Sequence, residues 1–361
     1  MKKIWQLILA IMILLEFLSP IKIGAYESGA FEAKVTQIVE EKNVTPANSD
    51  QSQTIQTLEL EALDGEKKGQ KIVIEGNEFA TASQQKYEIG EEVVIDGSGE
   101  NLYIADYVRR APIICLTIIF VVLAVWVGRW QGATSLLGLG VSFAVIFWFT
   151  LPKIAGGSNP VTIVVLSCLV MIPILFILSH GLNRKMVVAM IATLLTLIIT
   201  GLLIVFFVDW ANLTGLASEE AGFLQAMNPD TINFKNLLIA GMLIATLGVL
   251  DDITISQAAV VEELKKANPD LKFWPLFRRA MSVGRDHIAS MINTLILAYA
   301  GASFPLLLLF LQSGQSIGLT LNFEIIADEI IRTLAGSIGL ILAVPLTTIL
   351  AAWVENWRSV D

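Results

Sequence analysis

Histidine and cysteine are almost missing from this chain, with two of each in 361 residues. Cys115 and Cys168 both lie inside apolar runs, so they read as buried thiols and not as a disulfide. His180 and His287 stand too far from the cysteines for a zinc spacing, so no metal, catalytic residue or cofactor is expected. Charge is scarce too: 16% of the residues are charged, against 55% hydrophobic. Positive charge is the scarcer sign, 24 Lys and Arg against 33 Asp and Glu for a net charge of −9, which argues against nucleic acid as a partner. What is abundant is apolar sequence in runs of bilayer-spanning length, with a mean hydropathy of +0.68.

The chain divides into three parts. Residues 1–25 open with Lys2 and Lys3 and continue as an apolar stretch, a signal peptide or an uncleaved N-terminal anchor. Residues 26–110 change to short β-like runs, Phe31 to Val39, Thr57 to Ala62, Lys71 to Ile74 and Glu91 to Ile95, with turns at Asp64-Gly65 and Asp96-Gly97 and a polar loop over Asn43 to Gln56. They predict a small barrel-like antiparallel domain of the OB or SH3 kind, placed outside the cytoplasmic membrane. Residues 111–361 predict seven transmembrane helices, from Pro112–Val127 and Ser135–Leu151 through Val161–Leu178, Val187–Val208, Leu237–Val260 and Ile288–Leu311 to Ile326–Ala351. The fold class is thus a mainly α membrane protein.

Trp130, Trp148, Trp210, Trp353 and Trp357 fall at the ends of these spans, as rings do that sit at lipid headgroups. With the β domain outside, Arg129, Arg184, Lys185, Lys265, Lys266, Arg278, Arg279, Arg285 and Arg358 all fall in the cytoplasm, together with the C-terminus. The segment Glu262 to Arg285 mixes these cations with Phe273, Trp274 and Phe277, which predicts a helix lying on the inner leaflet.

The chemistry is concentrated in Gly248-Val249-Leu250-Asp251-Asp252-Ile253-Thr254-Ile255-Ser256-Gln257, where two carboxylates stand at membrane depth. Holding one charged there costs at least about 2.5 kcal/mol, so reversible protonation is the expectation for the pair. A helical reading puts Gly241, Ala245, Gly248, Asp252, Ser256 and Ala259 on one face, small enough for another helix to approach. The next span has a comparable face with His287, Ser290 and Thr294. Asn293 and Thr294 fall about 11 Å deep, near the level of Asp252, and are its expected hydrogen-bond partners. Thr254, Gln257 and Asp286 complete the polar surroundings. In the last span Glu329 and Arg332 form an i, i+3 ion pair toward the outer side, Gly336 and Gly339 permit close packing, and Thr347 and Thr348 can line a proton exit.

These residues carry two resemblances. The β domain running into Tyr103-Ile104-Ala105-Asp106-Tyr107-Val108-Arg109, followed by the acidic motif, Gly284-Arg285-Asp286-His287-Ile288 and Asn293-Thr294-Leu295, resembles the YibE/F-like family of bacterial multi-pass membrane proteins. More locally, the acidic motif, Glu262-Glu263-Leu264, Arg279-Ala280-Met281 and the run to Pro305 are similar to the fourth and fifth helices of resistance-nodulation-division permeases. That resemblance implies that Asp251 and Asp252 couple to a proton gradient. It also implies a homo-oligomer or a second membrane subunit, because such permeases have two six-helix halves and this chain has one bundle.

The expected function is therefore a proton- or cation-coupled permease of the bacterial cytoplasmic membrane, with the lipid bilayer as its surroundings and no enzymatic activity. The alternative is a non-transporting sensor or assembly factor whose outer domain binds a ligand. An intramembrane aspartyl protease is disfavoured, since adjacent residues on a helix point about 100° apart and cannot clamp one water between them.

Overall fold

The computed structural model describes residues 30–44, 53–76, 86–98, 101–228 and 231–357. The leader expected over residues 1–25 lies outside them. The chain forms two compact units, divided between Trp130 and Gln131.

Among the described residues the first unit holds five strands, β1 Phe31–Val44, β2 Gln53–Ala62, β3 Lys71–Gly76, β4 Glu92–Ser98 and β5 Asn101–Tyr107. All neighbours are antiparallel, in the order β3-β2-β1-β4-β5. Alternation sets the register: Phe31, Ala33 and Val35 point inward against Leu58, Leu60, Ala62, Val93 and Ile95, and form the core of the sheet with Tyr87. The sheet is open, and among the described residues no ladder closes it into the expected barrel. Strands also run further than their β-branched centres, so Asn43, Val44 and Gln53 to Gln56 of the expected loop are paired. β5, unread in the sequence, forms because Leu102 and Ile104 pack on the core from the edge. Asp96-Gly97 belongs to β4 and not to a turn. Gly97 adopts φ 129° where an added Cβ would stand 2.0 Å from the Asn101 carbonyl oxygen, so only glycine fits there.

Helices follow: α1 Arg110–Val145, a π-helical stretch Ile146–Thr150, α2 Leu151–Ala155, α3 Pro160–His180, α4 Arg184–Trp210, α5 Glu219–Met227, α6 Phe234–Ala267, α7 Phe273–Ala302, α8 Phe304–Gln312, α9 Ile317–Thr320 and α10 Glu324–Trp357. Several of their starts follow ordinary capping. Asn159 accepts from Val161 N and Thr162 N ahead of Pro160, and Asn183, Ser218 and Asn233 cap α4, α5 and α6 in the same way.

Among the described residues, five stretches are long and apolar enough to cross a membrane, and six if α7 and α8, bent by 65°, count as one broken span. The expected count of seven differs because Arg110–Ala155 is continuous apart from Arg129, where φ 51° and ψ −129° leave the helical region. The segment Glu262 to Arg285 holds no separate surface helix: it is the end of α6, a turn, and the first half of α7.

In the second unit α4, α6 and α10 pack on one another, with α3 against α6 and α7 against α10. Their shared core includes Ile172, Phe176, Met186, Ile204, Met242, Leu250, Ile253 and Val344. The opposite faces are also apolar: Ile191, Ile198, Leu202 and Phe206 of α4 are exposed, and so are Trp148, Trp210, Trp274, Trp353 and Trp357. An apolar outer surface of this extent suits lipid rather than water.

Candidate functional site

α6 separates the two members of the acidic doublet. Leu250, Ile253, Thr254, Gln257 and Val261 turn toward α4 and α10 and are fully buried, which fixes the rotation of the helix. Asp251 follows them: it is partly buried, and its Oδ1 is enclosed with no hydrogen-bond partner. Cys168 of α3 lies within its electrostatic reach. Asp252, one residue on, is exposed together with Ser256, Gly241 and Gly248. Nothing lies within 4 Å of a Cβ built at Gly241 or Gly248, so the close helix contact expected at these glycines is not made within the chain. The physical reason is that the opposite face carries the larger apolar side chains, and these fill the interior.

The same holds for the facing surface of α7. Asp286, Ser290, Asn293 and Thr294 are exposed, and His287 is partly buried with an unpartnered Nδ1. Thr294 donates to its own helix, at the Ser290 carbonyl oxygen 3.1 Å away. Among the described residues no hydrogen bond joins Asp252 to Asn293 or Thr294, contrary to expectation. The polar faces of α6 and α7 remain open to their surroundings.

The interior holds a different polar set. Thr254 meets Thr193 of α4 hydroxyl to hydroxyl at 2.7 Å. Gln257 Nε2 donates to the Ala280 carbonyl oxygen at 3.1 Å and to Thr348 Oγ1 at 2.7 Å, tying α6 to α7 and α10. Gly284 makes this junction possible, since a Cβ there would lie 2.5 Å from Val344 Cγ1 and 3.0 Å from Gln257 Nε2. Thr347 is buried beside Thr348 and donates to its own helix at Ala343. Farther along α10, Gly339 stands against Thr200, whose Oγ1 would be 2.5 Å from a Cβ, while Gly336 faces Leu295. The expected Glu329–Arg332 pair is present at 3.6 Å.

Asp328 was not legible as a site residue, although it is 8% exposed with an unpartnered Oδ1. Its signal was a third acid next to the Glu329–Arg332 pair. The spacing of Thr193, Thr196 and Thr200 on one face of α4 was the corresponding signal for the hydroxyls.

At the Lys185 end of the unit a cavity of about 250 Å³ is lined by Asn183, Arg184, Lys185, Glu262 and Glu355. Lys185 and Lys266 hold the Glu262 carboxylate from two sides, at 3.0 and 3.1 Å. At the other end Glu324 clamps the loop after α4, accepting from Thr214 N at 2.5 Å, Thr214 Oγ1 at 2.9 Å and Gly215 N at 2.9 Å. Lys235 and Asp209 pair nearby. Among the described residues no group of three or more His, Cys, Asp or Glu could hold a metal ion.

Neither the curated proteins nor the solved structures contain a match to this chain. The pattern of the YibE/F-like protein matches residues 116–357, most of the chain and every side chain placed in the site above. The chain therefore belongs to the YibE/F-like family.

Proposed function

We propose that the protein is a permease of the bacterial cytoplasmic membrane, coupled to protons or another cation through its intramembrane aspartates. The observation that carries this reading is Asp251, a carboxylate with an enclosed, unpartnered oxygen among apolar helices. Neutral residues can hold a bundle together without the cost of burying an acid, so an acid in this place is better explained by reversible ion binding. The resemblance of the acidic motif's sequence to that of resistance-nodulation-division permeases points to the same reading.

The two aspartates take different tasks. Asp251 binds the coupling ion from the interior. Asp252, with Ser256, Asn293 and Thr294, lies on exposed faces that lipid covers poorly, so a second copy or another membrane subunit completes that side. Seven crossings follow if Arg110–Ala155 crosses twice. At 1.5 Å per residue it is about 69 Å long against a hydrocarbon core of about 30 Å, and it leaves helical geometry at Arg129. In this reading the distribution of basic residues favours the Lys185 end and the C-terminus in the cytoplasm and the β unit outside.

The test is flux in vesicles containing the purified protein. A pH gradient drives substrate or proton movement in the wild type, and Asp251→Asn abolishes it while the protein remains folded. Full flux in Asp251→Asn refutes the permease reading. The separate core of the β unit favours a second reading, a ligand sensor, which is supported if partner binding survives in Asp251→Asn and no flux is found in the wild type.

A further inference from the structure

The cavity at the Lys185 end takes both signs of charge from three helices. Arg184 and Lys185 open α4, Glu262 lies near the end of α6 and Glu355 in the last turn of α10, with Asn183 completing the lining. The lining charges sum to zero. Glu262 is already held by Lys185 and Lys266. Arg184 differs: its side chain is exposed, and among the described residues no hydrogen bond or ion pair holds its guanidinium. It also stands with Lys185 in a first turn that holds no acid, at the positive end of the α4 dipole, a placement unfavourable to the helix and favourable to an anion.

One turn deeper the same three helices pack Val188, Val261, Ala351 and Ala352 into a buried apolar cluster. A ligand in the cavity is therefore held there and not passed into the bundle. At about 250 Å³ the space suits a head group and not a whole lipid.

α10 sets the depth of the cavity. Trp353 and Trp357 stand two residues to either side of Glu355, about 3 Å along the axis, and they are 54% and 67% exposed with rings 5.8 Å apart. Exposed indoles at the end of a span sit among lipid head groups. At about 100° per residue Glu355 lies some 200° round the helix from either ring, so the acid lines the cavity while the rings face outward.

α4 adds a track for acyl chains. Val187, Ile191, Leu195, Ile198 and Leu202 follow Arg184 at steps of three and four, and all are exposed. The guanidinium thus stands at the head of a lipid-facing stripe.

We propose that the cavity binds the head group of a phospholipid carrying a phosphodiester and a primary ammonium, with the phosphate on Arg184 and Lys185, the ammonium on Glu262 and Glu355, and the chains along α4. Charge and hydrogen bonding select this head group. Choline has no N–H to donate and is recognised by aromatic faces, and among the described residues none lines the cavity. A glycerol head group brings a net negative charge to two carboxylates with no cation of its own to meet them. The site is independent of the ion-coupling reading, since it shares no residue with the aspartate site.

Native mass spectrometry of the full-length chain tests this. The protein is released from micelles holding equal amounts of phosphatidylethanolamine, phosphatidylcholine and phosphatidylglycerol with the same acyl chains. The ethanolamine lipid should be retained about five-fold over each of the others, the scale of one charge-assisted hydrogen bond. Arg184→Gln should remove most of this retention, and Glu355→Gln should abolish the preference over the glycerol lipid. Arg278→Gln, at an exposed cation of α7 outside the cavity, should change neither. Soluble phosphoethanolamine at millimolar concentration should not displace the lipid; displacement overturns the lipid as the occupant and assigns the cavity to a free zwitterion. Equal retention of the three lipids, a preference for phosphatidylglycerol, or retention unchanged in Arg184→Gln overturns the site.

Discussion

Gly284→Ala adds one methyl at the point where three helices meet, and the structure predicts its cost. The new Cβ would stand 2.5 Å from Val344 Cγ1, 3.0 Å from Gln257 Nε2 and 3.1 Å from Gln257 Oε1, with Gln257 and Val344 both fully buried. Overpacking of this kind costs about 1–3 kcal/mol. Pushing Gln257 away weakens its bonds to Ala280 and Thr348, each worth about 0.5–1.5 kcal/mol net. Alanine is the better helix former by about 1 kcal/mol, which offsets part of this. The net expectation is a loss of about 1–4 kcal/mol, measured by reversible unfolding in mixed micelles with sodium dodecyl sulfate and followed by circular dichroism. Val344→Ala removes the nearest clash, so the double variant should be more stable than the sum of the single effects implies, by at least about 0.5 kcal/mol. If Gly284→Ala is as stable as the wild type, or the two substitutions add without coupling, the packing at this junction is not as described.

Other consequences are simpler to measure. Gly215→Ala combines a φ of 77° with a Cβ 2.3 Å from the Phe234 carbonyl oxygen, so it should lower Tm and loosen the start of α6; unchanged hydrogen exchange there counts against it. Glu324→Gln keeps the shape of the clamp on Thr214 and Gly215 but removes its charge, for an expected loss of about 1 kcal/mol in the same unfolding assay, whereas no loss would assign the clamp no role in stability. In the β unit, burial is the largest cause that pushes the Tyr107 phenol up to about 12, helped by Glu91. Its neutral form is favoured by folding, so its contribution is full below pH 10 and is lost as pH rises from there toward 12; ultraviolet titration showing ionisation near 10 refutes this.

The strands and helices were largely legible because their signals are local. β1 and β2 alternate, and Asn159-Pro160 and Asn183 announce helix starts through the hydrogen bonds they make. β5 was missed although Leu102 and Ile104 alternate with exposed neighbours, because an edge strand only half-buries its inward side chains. The doublet Asp251-Asp252 was conspicuous because acids are rare at membrane depth. Its partners were misplaced. Asn293 and Thr294 matched Asp252 in depth but face outward, while Thr193, Thr200 and Asp328 come to the interior from helices distant in sequence.

The amino-acid sequence by itself determined that this is a chain of apolar helices with a small β unit ahead of them, and it singled out two adjacent acids within one of those helices. Length and hydropathy suffice for that, since a run of about 20 apolar residues has few other uses. Only the tertiary structure decided which acid faces inward. In a water-soluble helix the polar side shows the outside, but lipid and protein interior both accept apolar side chains, so the pattern carries no phase. The packing of α6 against α4 and α10 supplies that phase, enclosing an oxygen of Asp251 and leaving Asp252 exposed.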